Sequence, residues 1–496
     1  MRKTTLALMI SAALAGPAQA QAADLWDIYQ KAVQNDPTFL TATANYEAAV
    51  ENKPIARAGY LPNVVLNGSR KVNHSSGQVP LTFNPATNSY VEADVASRDY
   101  NTTWSAQLTQ PLFDWAAWHN IEQADASAAQ AEAQYTAAQQ DLIVRVAAAY
   151  FDVLNARDTL AADHAAKQAN EKQLEQAKEK YEVGMSAITD VQEAQAAFDQ
   201  SVADEIAAQQ QVTNAEEGLR AITGEPAGDL VEPVPDMPLR NPEPATAQQW
   251  VDQALKQNPN LLAAQSAADA ADANIGVKRA ANMPTLDLVL NHTKNTDTQA
   301  NSLSGGADIT SLSDIKGNTA LLQLSWPIFS GGGTWAQVSQ AQRQYDAAMA
   351  QVKLATRQTE QQARTSFLGV LTGISQVQAL RQSVKSNETS MDATETGMQV
   401  GTRTIVDVLT ARQNLVKAQT GFANARYTYL KSVLQLKQSA GILTDTDVKQ
   451  MNTILQTNAP QTDSTGSAAT PAAAPTAVSA PAASTATPPA ATPPRG

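Results

Sequence analysis

Two stretches of this chain share a turn that holds one carboxylate in a fixed place. Residues 181–195 read YEVGMSAITDVQEAQ and residues 398–412 read MQVGTRTIVDVLTAR, identical at six of fifteen positions without a gap. In each, an aspartate (Asp190 or Asp407) stands six residues after a glycine (Gly184 or Gly401). Carboxylates so placed can do two kinds of chemistry. In the first turn of a helix they accept orphan backbone N–H groups and complement the positive end of the helix dipole. Gathered around a constriction, they select and bind cations. Thr404, with Asp407 three residues on, has capping-box spacing, Asp standing in for the usual Glu or Gln. The spacing predicts that Gly184 and Gly401 end long helices as left-handed C′ residues and that both aspartates cap the return helices.

Catalytic chemistry is not written here. His74, His119, His164 and His292 are dispersed, with no HExxH or paired-carboxylate context, and there is no Walker A sequence. SGGGTW (330–335) lacks GxGxxG spacing and reads as a strand-to-helix turn. With no cysteine there is no disulfide scaffold and no thiolate metal site. We expect no cofactor and no enzyme activity. A net charge of −13 excludes nucleic acid as a natural partner, because a phosphate backbone needs a basic stripe.

The elements that must position the two turns come from a duplication. AVQNDPTFL (32–40) matches ALKQNPNLL (254–262), RAGYLPNVVLN (57–67) answers RAANMPTLDLV (279–289), and LTQPLFDWAAW (108–118) answers LSWPIFSGGGTW (324–335). Order is kept, and the offset changes only across one polar loop. Each half opens on a helical stretch, 24–58 or 246–280. Two short alternating segments follow, around polar loops at roughly 70–98 and 293–317, and then a long helix and a return helix. From Phe113 to Val183 there is neither proline nor glycine, enough for roughly 105 Å of helix at 1.5 Å per residue. Two shorter helices stacked end to end would match it. Only 5% of the chain is aromatic while Ala and Gln abound, which suits long helices touching along narrow seams.

In PTLDLVLNH, Leu286, Leu288 and Leu290 share one face while Asp287 and Asn291 share the other, the period of a strand. Four strands cannot close a barrel, and open edges in lipid leave unsatisfied amides costing several kcal/mol each. Strands of this chain that span an outer membrane must therefore be completed by sister chains, and the strand count alone allows two, three or four. Trp104, Phe113, Trp115 and Trp118 read as crowding one strand–helix junction, and Trp326, Phe329 and Trp335 its twin. Such rings form an interfacial girdle.

Together, YEVGMSAITDVQEAQ, VGTRTIVDVLTARQN, LTQPLFDWAAW, AAYFDVLNARDTL (147–159) and FANARYTYLKS (422–432) resemble the TolC family of outer-membrane channel-tunnels over about residues 24–450. The resemblance implies a mainly α fold with membrane β-strands: a homotrimer whose twelve-strand outer-membrane β-barrel continues into a twelve-helix periplasmic α-barrel. It implies that Asp407 forms an anionic ring at the tunnel mouth and that the turns carrying Val183, Gly184, Val400 and Gly401 dock an adaptor. Thr189, Asp190 and Arg403 would latch neighbouring tips. Two positions depart from the family pattern: Thr410 replaces a second gate aspartate and Met398 a latch tyrosine, so the ring should be less anionic and the latch weaker. The implied partners are sister chains, a periplasmic adaptor (membrane fusion protein), an inner-membrane transporter of RND, ABC or MFS type, and outer-membrane lipid.

Residues 1–22 read as a Sec signal peptide cut after Ala20 or Ala22. The first repeat follows at 23–224, an equatorial linker at 225–245, the second repeat at 246–441, a C-terminal equatorial segment at 442–458 and an Ala/Pro/Thr tail at 459–496 expected to be disordered. The function implied is a passive outer-membrane exit duct for efflux or type I protein secretion. A periplasmic coiled-coil scaffold or a trimeric stalk is the rival reading.

Overall fold

Both halves of the chain fold into the same succession of elements, and the computed structural model describes residues 22–234, 237–303 and 309–456. The predicted signal peptide, but for its last residue, and the tail at 459–496 lie outside the described residues. The first half contains α1 (Leu25–Asn35), α2 (Pro37–Val50), α3 (Asn52–Ala58), β1 (Asn63–Asn84), β2 (Ser89–Phe113), α4 (Trp115–Glu182) and α5 (Ile188–Thr223). The second contains α6 (Ala247–Gln257), α7 (Pro259–Ala280), β3 (Thr285–Leu303), β4 (Ile309–Ser325), α8 (Gly333–Gln399) and α9 (Ile405–Ser439), followed by α10 (Asp445–Gln456).

The opening helical stretches, 24–58 and 246–280, are not continuous helices. Both break before a proline, at Asp36–Pro37 and Asn258–Pro259, where the residue ahead of the ring is held extended. The same side chains then cap the next helix. Asp36 accepts from the Phe39 N–H, and Asn258 from the N–H groups of Asn260 and Leu261. Asp36 is buried. Burial pushes its carboxyl up, but the Arg145 guanidinium at 2.8 Å and the Phe39 N–H hold it below the usual range.

The strands also overrun the predicted loops. β1 to β4 are 22, 25, 19 and 17 residues long, so most of 70–98 and 293–317 is ladder. Polar side chains there line one face of a pleat instead of marking a loop. The sheet is antiparallel in the order β1-β2-β3-β4, so the β2–β3 pairing joins the two repeats and leaves β1 and β4 as edges. Among the described residues, no helix is long and apolar enough to cross a membrane.

The long helices pair as the lengths required. α5 and α9 lie along α4 and α8, α2 and α3 continue beside α4, and α6 and α7 beside α8. α7 and α9 also pack on α4, which ties one repeat to the other. The main core gathers Leu142, Val146, Tyr150 and Phe151 of α4 with Tyr427 and Leu430 of α9, Val370 of α8 and Ile28 of α1. Four phenols there are neutral donors: Tyr150 to the Val231 carbonyl, Tyr427 to Asp158, Tyr29 to Asp445 and Tyr429 to the Arg240 carbonyl. Burial pushes all four above the ordinary value of 10.0, and neighbouring carboxylates add to it for Tyr29, Tyr150 and Tyr427. Because the folded values are raised, their stabilisation is complete below about pH 10 and declines as pH rises toward them, by about 1.4 kcal/mol per pH unit per phenol. A melting temperature followed from pH 8 to 12 should stay level and then fall steeply. Tyr150→Phe should shrink the alkaline slope by about a quarter, and a level profile to the end would contradict the assignment.

Candidate functional site

The two repeated turns close in the same way. In the first, the Gly184 N–H donates to the Tyr181 carbonyl and the Met185 N–H to the Lys180 carbonyl. In the second, the Gly401 N–H donates to Met398 and the Thr402 N–H to Gly397. These are paired Schellman bonds, and both glycines are left-handed, with φ of 76° and 80°. Val183 and Val400 cap the long helices and, with Met185, stand about 70% or more exposed (69%, 71% and 79%), an apolar surface at each tip.

The helix starts after the turns differ. Thr404 and Asp407 form the predicted capping box: the Asp407 N–H donates to Thr404 Oγ1 at 3.3 Å, and the Thr404 N–H to Asp407 Oδ2 at 2.9 Å. In the first tip the matching position is Ala187, which has no side-chain oxygen, and the Asp190 N–H donates to its carbonyl instead. There Asp190 accepts from Ser186 Oγ at 2.6 Å, so the expectation that both aspartates cap alike is corrected. The Thr404 N–H, its hydroxyl and the Arg403 guanidinium hold the Asp407 carboxyl below the usual carboxylate range, so it stays ionised well into acid. Among the described residues, the hydrogen bonds to this carboxylate end on Oδ2.

Thr189 and Arg403 are exposed, and the Arg403 side chain lies so close over Gly397 that a Cβ there would meet its Cγ at 2.7 Å. Met398 packs on a small apolar cluster of Leu174, Ala177, Val191, Ala194 and Ile405, and Gln173 Nε2 approaches its sulfur at 3.9 Å. Thr410 lines a cleft of about 210 Å³ between α4, α5 and α9, along with Asp163, Asn170, Asp204 and Arg412. Sequence reasoning missed the tie across this cleft, Arg412 Nη1 donating to Asn170 Oδ1 at 3.1 Å. Burial lowers the Arg412 pKa, and burial with Asp204 nearby raises that of Asp163. One polar residue among many on a Gln- and Asn-rich helix carries no local signal of such a partner.

All but one of the aromatic residues assigned to the two junctions stand exposed beside them. Phe113, Trp115 and Trp118 are 43–54% exposed beside the β2–α4 corner, and Trp326, Phe329 and Trp335 are 61–85% exposed beside the β4–α8 corner. Trp104 is not with them. It stands opposite Gly68 and Lys294, nine residues up β2 from Phe113, roughly 30 Å along the strand at 3.4 Å per residue. The strands proved longer than their alternating segments suggested.

With the fold and tips in view, comparison with known proteins is decisive. The outer membrane efflux protein family profile matches residues 28–225 and 250–442, the two repeats. The chain belongs to this family. The Outer membrane protein TolC of Vibrio cholerae is 37% identical over 453 residues, covering 91% of this chain and 98% of that protein. The Alkaline protease secretion protein AprF of Pseudomonas aeruginosa is 29% identical, covering 86% of each. The fold is shared with the Campylobacter jejuni CmeC outer membrane channel (TM-score 0.65, 18% identity, 87% of this chain and 89% of that one). It is also shared with the outer membrane protein VceC of Vibrio cholerae (TM-score 0.65, 21% identity, 84% and 96%). This efflux-family chain is an outer-membrane protein with its helical part in the periplasm.

Proposed function

We propose that three copies of this efflux-family chain close their four-stranded sheets into one twelve-strand barrel and their long helices into one twelve-helix periplasmic tunnel. The observation that carries this reading is the sheet with two unpaired edges, β1 and β4. Lipid tolerates neither open edge, so sister chains must satisfy them. The duct is passive and gated at its periplasmic mouth, where Asp407 of each copy faces the axis. Thr189, Asp190 and Arg403 latch neighbouring tips. A periplasmic adaptor docks on the exposed Val183 and Val400 corners and couples the duct to an inner-membrane transporter of RND, ABC or MFS type. Opening separates the α4–α5 coil from the α8–α9 coil, which the Arg412–Asn170 and Gln173–Met398 contacts hold together. Cargo is small toxic compounds or proteins of a type I route. Membership of the efflux family supports the first and the alkaline protease secretion protein among its relatives the second.

Purified protein should cross-link as a trimer in detergent and pass ions after insertion into planar bilayers. Material that stays monomeric, or that inserts and carries no current, overturns the reading. Deletion of the gene, scored for drug sensitivity and for secreted proteins, identifies the cargo class.

A further inference from the structure

The outward face of the sheet changes character at a definite height. The ladder register aligns even-numbered positions of all four strands on one face. Starting from the helix junction, that face carries Leu286, Leu288 and Leu290 on β3 and Leu324 and Leu322 on β4, then the hydrogen-bonded pair His292 and Asn318, whereas the opposite face carries Asp287, Asn291, Thr293 and Asn295 along with Val289 and Leu321. The even face therefore meets lipid. Eight residues on from Leu286, the row reads Gly68, Trp104, Lys294 and Lys316, and the next row begins with Arg70. At 3.4 Å per residue and a tilt of 35–45°, eight residues rise roughly 20 Å, close to the height of the apolar band of an outer-membrane barrel. Trp104, 55% exposed, is the amphipathic ring expected at that boundary.

Lys294 and Lys316 are directly opposed on neighbouring strands, a like-charge pairing that costs stability unless an anion answers it. Asp314 answers only in part: it lies 3.7 Å from Lys294 and also accepts from the Thr296 hydroxyl. Among the described residues, no carboxylate lies within ion-pair distance of Lys316. The Arg70 guanidinium stands over the Tyr100 ring, 5.9 Å from its centre, on the same face. The acidic groups further out on this face, Asp94 and Glu92, come only near the hairpin end. Three cations thus span three strand spacings, roughly 14 Å, at the rim of the apolar band.

We propose that Lys294, Lys316 and Arg70 form an outward-facing cradle for the phosphate-bearing headgroup of an outer-leaflet lipid. Its acyl chains would lie along the leucine face below while the phosphates screen the opposed lysines. The test measures binding of diphosphoryl lipid A, carried in phosphatidylcholine nanodiscs, to the full-length protein. Lys294→Gln/Lys316→Gln should weaken it about twenty-five-fold, about fivefold per charge near an anionic surface. Arg70→Gln alone should weaken it about fivefold and Asp314→Asn should tighten it, a gain that misfolding does not produce. Lys71→Gln, on the opposite face, should leave it within about twofold. Unchanged affinity in the double variant, an equal loss in Lys71→Gln, or displacement of the lipid by inorganic phosphate would overturn the proposal.

Discussion

Asp407→Ala should relieve the block of single-channel current by divalent cations. In the capping box, Thr404 bonds one oxygen of Asp407 and helps hold the carboxyl ionised, so the anion persists across the whole working pH range. A divalent cation about 5 Å from one carboxylate in water gains about 1.7 kcal/mol before salt screening, and a ring of three gains several times that. Neutralising the ring should raise the half-blocking concentration at least tenfold, the screened lower bound of that sum. Alanine also removes the cap, so Asp407→Asn is the matched control: its amide oxygen still accepts from the Thr404 N–H while the charge is gone. Equal relief in both variants assigns the effect to charge. Unchanged block in both would remove Asp407 from the ring. Because Thr410 lines the cleft between α4, α5 and α9, Thr410→Asp should leave the Asp407-dependent block dominant.

Gly441→Ala should be the most destabilising single-methyl change at any helix terminus of this chain. Its φ is 74°, which costs a side chain roughly 1–2 kcal/mol. A Cβ there would also stand 2.2 Å from the Gln257 carbonyl oxygen, and this neighbour is backbone that cannot swing away. Gly441 presses against the break between α6 and α7, where Asn258 Nδ2 donates to the Ser439 carbonyl and Gln140 Nε2 to the Gly441 carbonyl. Strain and overpacking together should cost at least about 3 kcal/mol. Gly224, its counterpart in the first repeat, has the same φ (75°), but its nearest neighbour would be an ordinary contact at 3.6 Å. At Gly184 the space is open. Denaturation midpoints should therefore fall far more for Gly441→Ala than for Gly224→Ala or Gly184→Ala, and equal losses would show that the close approach is not what matters.

The contrast between Gly224 and Gly441 also marks how far the chain can be read without coordinates. Both glycines were legible as the ends of their repeats, and a left-handed C′ residue is a local demand on one residue's backbone. Only the neighbouring element decides which of them is jammed. The same division runs through the tips. Thr404 and Asp407 announced their capping box by spacing, whereas the Arg412–Asn170 tie joins residues 242 apart in the chain and depends on how two coils lie together. At the membrane, Trp104 was assigned to the wrong level because strand length is set by how far a partner strand continues the ladder, and polar residues at alternate positions look like loop until that partner is known.

Taken alone, the residues determined the duplication, the order of helices and strands in each half, the alternating faces of the sheet and the capped, glycine-ended turns. Each follows from interactions within a few residues: a dihedral, a cap, a period of two or 3.6. Tertiary structure decided where the opening helices break and find buried partners, how tall the strands stand, and which charges meet at the rim of the apolar face. Those outcomes depend on distances between elements remote in the chain, which packing sets and local residue patterns do not encode.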